Sequence, residues 1–194
     1  MKRLWVTGYR AYELSVFQDD DPKVKVIKSV LKNSFEARLN MSDEEFWLIS
    51  GPQMGVERWA IEVATELKTT YPQLKTSIIE PYQAVAQRWN EQNQAKLLET
   101  LAKVDFHAAV SNQPYQSPQQ LRDYQRFMLE HSDQLLMIFD VDRESDSEQH
   151  SKPSWDYRAA QRYQTQYDYQ IQLINFDDLQ EAATEIAEQE EPDY

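Results

Sequence analysis

The sequence predicts an α/β protein: a single domain of three layers, with helices on both faces of a mostly parallel sheet. Three observations carry that expectation. Short apolar runs of strand length alternate with helix-period patterns along the whole chain. The chain has three glycines, and each follows such a run closely: Gly8 after L-W-V-T, and Gly51 and Gly55 within W-L-I-S-G-P-Q-M-G-V-E-R-W-A. The length of 194 residues suits one domain, which can bury roughly 70% of its unfolded surface without staples.

Residues 3–7 read as the first strand. Asp19-Asp20-Asp21-Pro22 is a helix-start signal, and the helix from about 22 to 39 has Val24, Ile27, Leu31, Phe35 and Leu39 on one face. Lys23, Lys25, Lys28 and Lys32 read as its solvated side. The second strand is 45–50. A helix of about 54–70 follows, with Val56, Trp59, Ala60, Val63, Ala64 and Leu67 at helical spacing. Strands are expected at 74–80 and 106–110, with a polar helix or helix pair at 84–104 between them. Residues 111–118 form a loop with two prolines, ahead of a helix at 119–132 and the most apolar strand, 134–140. The polar stretch 141–153 reads as a loop. Then come a helix at 154–167, a strand at 169–174 and a last helix from near Asp177. The domain spans 1–187, and the acidic tail 188–194 is expected to fray.

Composition excludes several function classes. With no cysteine, disulfides and thiolate chemistry are ruled out, which fits a cytoplasmic protein. A net charge of −13 argues against broad binding to nucleic acid or an anionic membrane. No signal-length apolar segment opens the chain, and Leu135 to Phe139 is too short to cross a bilayer. His107, His131 and His150 are scattered without metal-ligand spacing, so no metal site is expected. The nucleophile elbow G-x-S-x-G, the phosphate loop G-x-x-x-x-G-K-[ST] and the dinucleotide fingerprint G-x-G-x-x-G are all absent.

The glycine sites are where a ligand is expected. A strand, a tight glycine turn and a helix start together offer backbone N–H groups and the positive end of a helix dipole to an anion. Parallel sheets hold ligands at the carboxyl ends of their strands, where strand order switches. Gly8 and Gly51 would share that rim, and the Asn112 to Tyr115 loop follows a third strand end. Arg10 is placed to clamp a phosphate, with Glu13 to orient it or to reach a ribose hydroxyl. Gln53 and Glu57 are candidates for sugar hydroxyls, though Glu57 at a helix start is also favourable for the dipole alone. Tyr9 and Tyr115 are the stacking candidates, whereas Trp59 and Trp89 read first as packing residues.

V-T-G-Y-R-x-x-E-L, S-G-P-Q-M-G-V-E-R-W-A, Trp89, Pro114-Tyr115 and an apolar fifth strand ending in aspartate together resemble the YpsA family over nearly the whole chain. That family belongs to the SLOG superfamily of Rossmann-like folds, with the LOG phosphoribohydrolases and the DNA-processing protein DprA as distant relatives. The resemblance implies a nucleotide or ADP-ribose-like ligand at Gly8, Arg10, Ser50, Gly51, Gln53, Gly55 and Glu57, a possible protein partner, and a role in cell division or stress response. Two departures matter. The P-G-G-x-G-T-x-x-E motif of LOG enzymes has no glycine counterpart between Asp140 and Asp156, and Glu57 stands where DprA-like proteins have aspartate. A binding module is therefore expected. The alternatives are a LOG-like N-glycoside hydrolase with Glu57 as its catalytic acid, or a DprA-like binder of single-stranded DNA.

Overall fold

The computed structural model describes residues 1–145 and 150–190. Among these residues, six strands form one parallel sheet: β1 (Lys2–Gly8), β2 (Phe46–Ser50), β3 (Leu74–Tyr82), β4 (Phe106–Ser111), β5 (Gln134–Ile138) and β6 (Gln170–Ile174). Their order is β4-β3-β2-β1-β5-β6, so the chain winds outward from β1 to β4, then returns to β1's other side. The switch in strand order lies between β1 and β5, where Thr7 pairs with Met137 and Gly8 with Ile138.

The helices cover both faces. On one face α1 (Pro22–Leu39) packs against α2 (Val56–Leu67) and α7 (Phe176–Glu190), and α2 packs against α3 (Glu91–Leu101). On the other, α4 (Pro118–Glu130) packs against α6 (Lys152–Gln164). That is the layout right-handed crossovers impose on this strand order. The three-layer, Rossmann-like α/β/α expectation holds. No helix among the described residues is long and apolar enough to cross a membrane.

Helical periodicity decided which faces are buried. All five apolar residues on the expected face of α1 are inside, as are the six on α2. Each large apolar side chain taken fully from water contributes about 1.5–3 kcal/mol, so these two helices hold the layer against the sheet. Asp21 caps α1 by accepting from the Lys23 N–H at 2.9 Å, with Pro22 at the first helical position.

Two segments depart from the sequence reading. Residues 84–89 are turn rather than helix, because Ala84 sits at φ 57° and Asn90 caps the helix that starts at Glu91. The expected 141–153 loop contains a short helix, α5 (Val141–Ser145), and gives up Lys152 and Pro153 to α6. Asp140 explains the first of these changes. It turns out of line with β5, and its carboxylate accepts from the N–H groups of Arg143 (2.9 Å) and Phe176 (3.1 Å). Helix α7 runs to Glu190, so the acidic segment begins as helix. Residues 146–149 of the loop and 191–194 of the tail lie outside the described residues.

Gly55 is the backbone position least able to accept a side chain. Its φ is +124°, and an added Cβ would lie 2.5 Å from Ala11 N and 2.6 Å from Tyr9 O, both backbone atoms. We expect Gly55→Ala to lower stability by about 2 kcal/mol or more in urea unfolding. A loss under about 0.5 kcal/mol, the usual range of a surface change, would contradict this description of the turn.

Candidate functional site

The turn between β2 and α2 is tied to the segment after β1. Ala11 N–H donates to Met54 O at 2.9 Å and Val56 N–H to Tyr9 O at 3.1 Å, which pairs Arg10 with Gly55 as an isolated antiparallel bridge. Arg10 is thus set by backbone beside the turn. Its N–H and guanidinium donate to Glu13 at 2.7 and 3.0 Å. Glu13 also accepts from the Lys152 N–H at 3.0 Å, joining this segment to the start of α6. Burial raises the Glu13 carboxyl, but the hydrogen bonds from Arg10 and Lys152 outweigh it and hold the group below its ordinary value.

On one side of the turn, at the carboxyl end of β1, the protein fills its own crevice. The Lys152 ammonium is shared by Glu57, by Asp156 at 2.8 Å and by Thr7 Oγ1 at 2.8 Å. Thr7 donates to Glu57 at 2.7 Å, the Gln53 N–H donates to Glu57 at 2.9 Å, and Gln125 donates to Asp156 at 2.8 Å. Glu57 is 1% exposed and Asp156 3%, while the Lys152 side chain keeps 19% at the rim. Burial alone lowers the ammonium pKa, but the charges of Asp156 and Glu57 overcome it and raise it above the usual lysine value. Gly51 lies against this cluster: an added Cβ would sit 2.4 Å from Glu57 Oε2 and 2.6 Å from the Tyr124 hydroxyl. That hydroxyl is buried and has no hydrogen-bond partner among the described residues. Burial, with the charges of Glu57 and Asp156 nearby, raises its pKa well above the ordinary tyrosine value.

On the other side of the turn an open groove of about 410 Å³ runs between residues 10–19, the N-terminal turn of α2 and the start of α3. That volume falls within the range of about 300–1,000 Å³ usual for small-molecule sites. Arg10, Arg58 and Lys96 line it, with Gln53 and Gly55 of the turn and the aromatic rings of Tyr12, Trp59 and Trp89. The Arg10 guanidinium lies 4.8 Å from the centre of the Tyr12 ring. The Nε atoms of Arg10 and Arg58 are both buried without a partner among the described residues. The outer nitrogens of both groups are bonded within the protein, Arg10 to Glu13 at 3.0 Å, and Arg58 to Asp19 at 2.9 Å and Glu62 at 2.7 Å.

Comparison with known proteins decides the family. The family model YpsA, described as the YspA SLOG family, matches residues 4–179. The chain belongs to the YpsA family. It is 50% identical over 190 residues to a UPF0398 protein of Limosilactobacillus reuteri, covering 98% of this chain and 97% of that one. It is 49% identical over 194 residues to a UPF0398 protein of Lactobacillus helveticus, covering 100% and 98%. Another from Lactiplantibacillus plantarum is 47% identical over 190 residues, covering 98% and 96%.

In this YpsA-family chain the expected site residues divide into three groups. Arg10, Gln53 and Gly55 reach the groove. Glu57, Ser50, Gly8, Gly51 and Glu13 lie beside it but are turned inward. The Ser50 hydroxyl donates to Val6 O at 2.7 Å, inside the β1–β2 seam. A Cβ on Gly8 would meet Ile138 O at 2.8 Å, so this glycine serves strand–helix packing. Two of the N–H groups expected to face an anion are used internally, Gln53 by Glu57 and Val56 by Tyr9. The third group is misplaced. Tyr9 is 1% exposed, with its ring between Phe139 and Phe176 and its hydroxyl accepting from the Asp140 N–H, so it cannot stack on a ligand. Asn112 and Tyr115 follow β4 at the sheet edge, where Tyr115 packs on Tyr82 and neither lines the groove. Sequence reasoning missed Arg58, Lys96 and Tyr12 as groove residues. Both Trp59 and Trp89 line the groove; Trp59 is buried, as expected of a packing residue, and Trp89 is half-buried.

Lys152→Met tests the buried cluster. At pH 7 it leaves two carboxylates facing each other without their cation, and we expect a loss of about 3–5 kcal/mol. The raised folded pKa of Lys152 means its stabilisation is complete at and below neutral pH and is lost only as pH rises through that value. Urea unfolding at pH 7 checks the variant; a loss under about 0.5 kcal/mol, the usual range of a surface change, would contradict the charge pairing.

Proposed function

We propose that this YpsA-family protein binds a nucleotide-type ligand, such as ADP-ribose, in the groove beside the Gly51–Gly55 turn. The observation that carries the reading is the gathering of Arg10, Arg58 and Lys96 around one groove beside the turn, in a chain of net charge −13. A local cationic groove on an acidic molecule favours a small anion that can enter it, over a polyanion that must also approach the surrounding surface. Tyr12 and Trp89 offer flat faces for a base, and Gln53 offers a polar end for a sugar hydroxyl. A cysteine-free composition fits the reducing cytoplasm, where such ligands are met.

The anion is recognised here by side chains more than by backbone. With two of the turn's N–H groups already bonded, the helix start supplies a favourable dipole, and the guanidinium and ammonium groups supply the hydrogen bonds. A hydrolase reading with Glu57 as acid gains no support from the geometry. Both of that carboxylate's oxygens are occupied and the residue is buried, so it positions the turn rather than meeting a ligand. Ligand binding at this turn would act on the start of α6 through Glu13, a route by which a protein partner could sense occupancy.

Thermal unfolding against ADP-ribose, NAD and nucleotide sugars tests the reading. A ligand at 100 times its Kd adds about 2.7 kcal/mol, a rise of several degrees. We expect Arg10→Ala and Trp89→Ala to weaken a hit at least about tenfold, one such factor being 1.4 kcal/mol, while Tyr115→Ala leaves it unchanged. Full affinity in both groove variants would refute the assignment.

A further inference from the structure

The groove already holds an anion of the protein's own. Asp19 Oδ1 accepts from Arg58 Nη1 at 2.9 Å, and Asp19 Oδ2 is 2.9 Å from Lys96 Nζ. Both cations are largely covered: the Arg58 side chain is 15% exposed and also bonded to Glu62 at 2.7 Å, and the Lys96 side chain is 20% exposed. The aspartate is the loose member. Its side chain is 55% exposed, and it sits in the short connection between the 3-10 turn Ala11–Leu14 and α1. That connection starts at Ser15, in the left-handed region at φ 55°, and ends at the Asp21 cap of α1. A few residues between two fixed points can shift without disturbing either helix.

We propose that Asp19 is a stand-in for a second phosphoryl group, and that the groove selects ligands carrying a diphosphate. This rests on the binding reading above. One phosphoryl group lies against Arg10 beside the turn. The second takes the place of the Asp19 carboxylate between Arg58 and Lys96. The exchange is favourable because a phosphoryl group brings more acceptor oxygens than a carboxylate to the Arg58 and Lys96 donors that Asp19 occupies. A ligand with one phosphoryl group meets Arg10 alone and leaves Asp19 in place. Displacement also moves Phe17, two residues away and 79% exposed, so occupancy changes the surface at the groove mouth.

Calorimetric titration with ADP-ribose and AMP separates a diphosphate from a monophosphate, each carrying roughly two negative charges at neutral pH. Asp19→Asn should tighten ADP-ribose at least about fivefold and leave AMP within about twofold, since only the former must displace the carboxylate. Lys96→Met should weaken ADP-ribose about tenfold with the same indifference of AMP. Equal effects of Asp19→Asn on both ligands would reduce Asp19 to general repulsion and overturn the proposal, as would no effect on ADP-ribose. In either case binding that still depends on Arg10 leaves the broader reading standing. Folded protein that binds neither ligand, unsubstituted or as Asp19→Asn, overturns both.

Discussion

The ammonium of Lys152, held between Glu57 and Asp156, is the contact on which the rim of this sheet depends. It gathers β1 through Thr7, α2 through Glu57, and α6 through its own backbone and Asp156, with α4 reached through Gln125. Without it two buried carboxylates would be left with no cation beside them. The bond is also why the glycine turn has its shape. Glu57, fixed by the ammonium, turns its second oxygen to the Gln53 N–H, and Gly51 leaves room for that carboxylate. A parallel sheet usually offers its ligand crevice at the switch in strand order. Here the carboxyl end of β1 is filled by a side chain of the same chain, and the open space lies on the other side of the turn.

The groove inherits its geometry from this arrangement. Arg10 is set by the backbone bridge to Gly55, and Arg58 stands one residue after the buried Glu57 on the same helical turn. Successive residues on a helix point about 100° apart, so burying Glu57 against Lys152 turns Arg58 to the groove. The cluster and the groove are two sides of one helix start. One is closed and holds the turn in place; the other is open and cationic.

Much of the fold was legible because local rules decide it. The alternation of strand and helix, the faces of α1 and α2 and the Asp21-Pro22 start follow from periodicity and capping. The site was legible only in part. The turn was marked by scarce glycine, and Arg10 by its place two residues after Gly8. The fate of Glu57 was not, because its partner Lys152 lies 95 residues away, in a stretch that carries no motif. Tyr9 was misread because Phe139 and Phe176, which cover it, arrive from distant strand and helix ends. Asn112 and Tyr115 follow a strand end, but the strand order, which no local signal carries, puts β4 three places from β1. Lys96 and Asp19 meet only in the folded chain, and neither has a local signal.

The most direct measurement is a titration with ADP-ribose followed through the indole N–H resonances of the five tryptophans, assigned by substitution. Trp89 lines the groove, Trp5 is fully buried in the sheet, and Trp155 is exposed on α6. The account predicts a saturable shift at Trp89, with Trp5 and Trp155 unmoved. Saturable shifts at Trp155 with none at Trp89 would place the ligand elsewhere and contradict it.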